Sequence, residues 1–210
     1  MKIKRIVLLS IWLLILSSGP ITVLFNTPIS TALNDDILFV NFLQRIFGLL
    51  AFTMLGSQII LGSNMKWWIR MVGAKAYRYH ITEGIVAYLF ILLHPLMQVI
   101  LYFKAEGPYF GLLAFIFEKN VFINLGKLAF ILLTISIIAA YFRTKPFFRK
   151  NWNKLHLLNY FSFFIIAFHS WAIGTDVKTY PFVTIYTLMI ICVFLGIIET
   201  IKQAKKLIGI

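Results

Sequence analysis

Cysteine is almost absent: the chain has one, Cys192, inside an apolar run. A single cysteine excludes an internal disulfide, a C-x-x-C-H haem attachment and a four-cysteine iron–sulfur site. Any haem would be held through its iron and its packing alone. Charge is also scarce. Only 13% of the 210 residues are charged, and seven acids stand against twenty Lys and Arg. There is no Gly-rich dinucleotide motif, no internal repeat and no low-complexity tract.

What the chain has instead is apolar surface. Sixty per cent of residues are hydrophobic, and the mean hydropathy is +0.88. A soluble domain of this length needs far more polar surface. Six apolar segments lie near 6–25, 37–62, 79–103, 121–142, 155–175 and 180–201. Each approaches the roughly 20 residues that span a hydrocarbon core. The expected fold is therefore an all-α integral membrane protein, a six-helix bundle, with residues 1–210 forming one domain. The first segment follows Lys2, Lys4 and Arg5, as a signal peptide would, but its apolar run is long and lacks a clear cleavage site. It reads as a span, with Gly19 and Pro20 bending or interrupting it. The stretch 109–118 is too short to cross and is expected at the outer interface or over the helix ends.

The net charge of +13 is distributed unevenly. Lys2, Lys4 and Arg5 precede the first segment, and Lys66, Arg70, Lys75 and Arg78 occupy the second loop. Arg143, Lys145, Arg149, Lys150 and Lys154 occupy the fourth, and Lys202, Lys205 and Lys206 the tail. The other loops hold three lysines and five of the seven acids: Asp35, Asp36, Glu106, Glu118 and Asp176. The positive-inside rule then places both termini in the cytoplasm. Membrane orientation accounts for the basic charge, so no nucleic-acid partner is needed.

The four histidines fall on the third and fifth segments, two on each: His80 and His94, then His156 and His169. Both segments run from inside to outside, so the histidines match in depth as pairs, His80 with His156 and His94 with His169. At 1.5 Å per residue the two levels are about 20 Å apart. That suits two stacked haem groups, each with an imidazole on either side of its iron. The spacing of fourteen returns the second His to within about 40° of the first, whereas thirteen leaves about 140° on an ideal helix. The fifth segment therefore needs a distortion, or the two haems are offset. The rival reading makes the histidines polar helix glue in a haem-free transporter or structural protein, or ligands of another metal.

Arg45 lies inside the second segment, level with His94 and His169, and is a candidate for an outer haem propionate and for the reacting haem edge. Lys127 in the fourth segment is a second candidate, and snorkelling is the alternative for both. Arg78 and Lys154 are candidates for inner propionates. Glu83, one turn beyond His80, reads as an ion-pair partner or a proton carrier. Trp152, Trp171, Trp67 and Trp68 sit near expected membrane edges.

Four stretches resemble the ferric reductase-like transmembrane domain. They are Leu43 to Gly48, Tyr77 to His80, Ile91 to Pro95, and Trp152 to His156 running on to His169. This is the haem-binding part of NADPH oxidases, ferric reductases and the membrane haem subunit of bacterial methionine-sulfoxide reductase systems. The resemblance covers about 37 to 200. It implies two haem b groups, an Arg at the place of Arg45 beside the outer one, and tolerance of the thirteen-residue spacing. It further implies electron transfer from a cytoplasmic-side donor to an outer acceptor such as oxygen or ferric ion. With no flavin or nicotinamide domain after the sixth segment, the donor is expected to be a separate flavoprotein or quinol. The alternative within the family is the haem subunit of a membrane-anchored periplasmic reductase. The expected location is a prokaryotic plasma membrane, in contact with lipid.

Overall fold

The computed structural model describes residues 2–116 and 118–208, with side chains for 6–112, 114–116 and 118–202. The charges of Lys2, Lys4, Arg5, Lys205 and Lys206 lie outside those described side chains. Among the described residues the chain is 87% helical and has no strand. The helices are α1 (Lys2–Asn26), α2 (Ile29–Ala32), α3 (Asp36–Ser63), α4 (Met65–Val72) and α5 (Lys75–Glu106). They continue as α6 (Pro108–Leu113), α7 (Val121–Tyr141), α8 (Pro146–His156), α9 (Leu158–Ile173) and α10 (Phe182–Ile208). A 3₁₀ turn at Asp176–Lys178 precedes α10. Five helices are long and apolar enough to cross a membrane, or six if α8 and α9 form one bent span. The chain is a multi-pass membrane protein.

Local chemistry sets the helix ends. Asp35 caps α3 by accepting from the backbone N–H groups of Ile37 and Leu38. Asn120 caps α7 through the N–H of Phe122. Gly107, at φ 95°, ends α5 in a conformation that glycine adopts freely, and Pro108 then opens α6. Pro146 opens α8 in the same way.

One expectation is corrected and two take definite form. α1 runs unbroken through Gly19 and Pro20. Gly19 is a contact point instead, where an added Cβ would lie 2.7 Å from Leu49 Cβ on α3. The stretch 109–118 holds the six-residue α6, which folds back on α5: a Cβ at Gly111 would lie 3.2 Å from Phe103 Cβ. The fifth apolar segment is two helices, bent by 41° at Leu157.

The chain divides into two compact units, Met1–Phe117 with Thr175–Ile210, and Glu118–Gly174. In the first, Phe52 stacks on Tyr186 at 4.9 Å and meets Phe182 edge-on at 6.2 Å. Around them Val23, Phe42, Leu49, Leu55 and Val193 are buried. Small residues let helices approach: Gly196 faces Ser63, and the buried Thr22 hydroxyl accepts from the Phe182 N–H at 3.1 Å. In the second unit Ala129, Leu133, Ser136, Ala139, Phe163 and Ala167 are buried. Leucine, isoleucine and phenylalanine on the outer faces, such as Leu14, Ile85 and Phe161, are exposed, as lipid-facing residues are.

One polar cluster pins three parts of the first unit. Arg45 donates from Nε and one terminal nitrogen to both oxygens of Asp176, each at 2.6 Å, and from the other to Thr27 Oγ1 at 2.7 Å. Asn26 adds a bond to Asp176 at 2.7 Å. Burial acts to raise the Asp176 pKa, but the bonds from Arg45 and Asn26 and the guanidinium charge outweigh it. The carboxyl is held below its ordinary range. A depressed carboxylate stabilises the fold above its unfolded pKa, and that contribution is lost as pH falls through the lower folded value. We expect Asp176→Asn to cost about 1.5–3 kcal/mol, as for a hydrogen bond to a charged group, read by thermal unfolding in detergent at pH 7. The parent should lose this increment only below about pH 4, the ordinary carboxylate range, and the variant should lack that acid limb.

Candidate functional site

Each histidine is placed by a neighbouring helix of its own unit. His94 lies within α5, and its Nδ1 sits 2.9 Å from the backbone carbonyl of Gln44 on α3. A carbonyl can only accept, so Nδ1 carries the proton and Nε2 keeps a lone pair. The Gln44 side chain bonds to Gln98, one turn beyond His94. Gly48 lies one turn after Gln44, and an added Cβ there would come within 2.9 Å of the imidazole. The missing side chain is what lets the ring reach the carbonyl.

The second unit repeats the device. His169 Nδ1 lies 2.6 Å from the carbonyl of Phe122 on α7. Gly126 follows one turn later, and a Cβ there would sit 2.6 Å from His169 Cε1. In both units an acceptor carbonyl stands four residues before a glycine, and the imidazole lies over the pair.

His80 is seated on α3 too, with its Cε1 3.4 Å from where a Cβ at Gly62 would be. Gly48 and Gly62 are fourteen residues apart, as are His80 and His94. Equal spacing on two packed antiparallel helices gives each histidine of α5 its own glycine. His156 is placed differently. It ends α8 rather than lying on α9, so the break at Leu157 removes the ideal-helix angle that the thirteen-residue spacing implied. Its Nδ1 lies 3.4 Å from the Ser136 hydroxyl and 3.3 Å from the Asn159 amide nitrogen. Trp152, one turn earlier, has its ring 5.9 Å away.

The basic candidates divide into two sorts. The counter-charge of Arg45 is Asp176, and that of Lys127 is Glu118 at 2.8 Å. Asn124 holds Glu118 in place by bonding its backbone N–H and carbonyl. Arg78 and Lys154 are exposed, each two residues before a histidine. Glu83 takes neutral partners rather than a base: Trp12 Nε1 at 2.7 Å and Gln58 Nε2 at 2.8 Å. Among the described residues no group of three or more His, Cys, Asp and Glu comes together to hold a bare metal ion.

The glycines and their carbonyls were missed in reading the sequence. The matching fourteen-residue intervals, Gly48 to Gly62 and His80 to His94, carried the signal.

The fold and these seats define an all-helical, multi-pass membrane domain with imidazoles packed onto glycines. The chain matches the family model described as ferric reductase-like transmembrane component over residues 47–167, more than half its length. It belongs to that family, whose domains are generally haem-binding. The match takes in His80, His94, His156 and the glycines and stops just short of His169. No curated protein and no solved structure matches the chain. The residues fit haem: a proton fixed on Nδ1 by a carbonyl leaves Nε2 available to an axial position on iron.

A methyl group at Gly48 or Gly126 must push the imidazole off its carbonyl. We expect Gly48→Ala and Gly126→Ala to destabilise the protein, because overpacking at about 1–3 kcal/mol outweighs alanine's helix preference of about 1 kcal/mol. Gly62→Ala, at ordinary contact distance, should be neutral or slightly stabilising. Thermal unfolding of the three variants in one detergent checks the contrast.

Proposed function

We propose that the chain is a di-haem b electron-transfer protein with His80, His94, His156 and His169 as axial ligands. In this reading His80 and His156 serve the inner haem, and His94 and His169 the outer. The observation that carries the proposal is the paired device at His94 and His169, Nδ1 on a backbone carbonyl and the ring over a glycine. It fixes the tautomer and ring plane that a metal-binding imidazole requires.

Haem would supply one-electron chemistry when bound. The chain's own residues hold and orient. Gln44 and Phe122 fix the ligand tautomer through their carbonyls, and Gly48, Gly62 and Gly126 make room for the rings. Arg78 and Lys154 are the candidate partners of inner propionates. Arg45 and Lys127 are the outer candidates, and each would share its charge between a propionate and the carboxylate it already holds.

The basic loops support an orientation with both termini in the cytoplasm, so electrons travel outward across a plasma membrane. The donor in this proposal is a flavin or quinol held outside these residues, and the acceptor is oxygen or ferric ion. The protein should be purified in mild detergent and its haem counted from pyridine-haemochrome and oxidised and dithionite-reduced spectra. Two low-spin b haems per chain, falling to one in His94→Ala, are expected. A protein that stays colourless after haem is added would sink the proposal and favour a haem-free transporter or structural role.

A further inference from the structure

Asn159 lies in the first turn of α9, three residues after His156 and just beyond the break at Leu157. Its amide nitrogen faces His156 Nδ1 at 3.3 Å. Its amide oxygen is buried and has no hydrogen-bond partner. A donor is aimed at the ring while an acceptor is stranded beside it. A donor facing Nδ1 matches an imidazole with its proton on Nε2, the form that cannot offer Nε2 to a metal. The two ends of an amide have nearly the same shape, so a half-turn of the side chain exchanges them. After that turn the stranded oxygen meets Nδ1.

His94 and His169 need no such adjustment, since a backbone carbonyl cannot be exchanged for a donor. His156 has a different set of neighbours. The Ser136 hydroxyl at 3.4 Å donates or accepts equally well, and the Ser136 backbone carbonyl is a rival acceptor for the ring. Asn159 is thus the one partner among these whose half-turn alters the polarity presented to Nδ1.

We propose that Asn159 is a positioning residue for His156, its amide oxygen accepting the Nδ1 proton so that Nε2 is free for haem iron. This rests on His156 being a haem ligand. An acceptor on Nδ1–H makes imidazole a stronger donor to the metal and favours the ferric state. Loss of that acceptor raises the reduction potential of the haem that His156 holds and loosens it. The other haem is untouched.

The full chain in detergent would be prepared as parent, Asn159→Leu and Asn159→Asp. For each, the haem count, an optical redox titration and the rate of haem loss to an apoprotein acceptor would be measured. We expect Asn159→Leu to shift the equilibrium of one haem about tenfold toward the reduced form, about 59 mV for one electron. That haem should also be lost several-fold faster, with the second haem unmoved. Asn159→Asp, which keeps an acceptor, should restore the parental potential or lower it. Potentials and loss rates unchanged in Asn159→Leu would show that Ser136 suffices and overturn this proposal alone. Both haems shifting together would also overturn it, as a general packing effect. A parent that binds no haem would overturn the ligand reading and this proposal with it.

Discussion

A backbone carbonyl inside a helix has a spare lone pair, and reaching it from the side requires that no side chain stand in the way. The placement of His94 and His169 depends on that constraint. The carbonyls of Gln44 and Phe122 belong to the interiors of α3 and α7, where each also serves its own helix. The glycine one turn onward, Gly48 or Gly126, removes the Cβ that would block the ring. Glycine in a helix normally weakens it by about 1 kcal/mol relative to alanine. Retaining it here makes sense if the imidazole's orientation matters more than helix stability.

Charge in the apolar interior follows the same logic of local provision. Arg45, Lys127 and Glu83 would each be costly alone in hydrocarbon. Each has its partner within its own unit: Asp176, Glu118, and the donors Trp12 and Gln58. These contacts also tie distant parts of the chain together. Arg45 on α3 joins the end of α1 to the turn before α10 through Thr27, Asn26 and Asp176. The polar groups therefore act as tertiary staples within an apolar bundle, where packing has no hydrophobic drive of its own.

Much of this was legible in the sequence and some of it was not. Apolar runs about 20 residues long fix spans with little ambiguity, and the five or six spanning helices fall close to the expected segments. Four histidines, paired at spacings of fourteen and thirteen, stand out because so few polar residues compete with them. Counter-charges were harder to read. Asp176 lies 131 residues from Arg45, and sequence position gives no hint that the 3₁₀ turn returns to that level of α3. Backbone acceptors were hidden altogether, since any residue supplies a carbonyl. Gly19 was misread for a related reason. A glycine before a proline looks like an interruption, yet in a membrane helix the missing side chain is as often a surface for a neighbour.

The break at Leu157 shows how a local feature resolves what periodicity cannot. On one straight helix a thirteen-residue spacing turns two side chains to nearly opposite faces. Ending α8 at His156 and restarting at Leu158 with a 41° bend frees the direction of His156 from that of His169. It also sets apart how the two are held. His169 belongs to a regular helix lying against α7 and meets a carbonyl there. His156 belongs to a helix end, where the chain is free of the regular ladder, and side chains from α7 and α9 surround it. A regular helix brings its ring onto a fixed backbone acceptor, whereas the helix end surrounds its ring with side chains as well as backbone. The fifth segment thus contains both solutions to one problem, and the difference follows from where the helix stops.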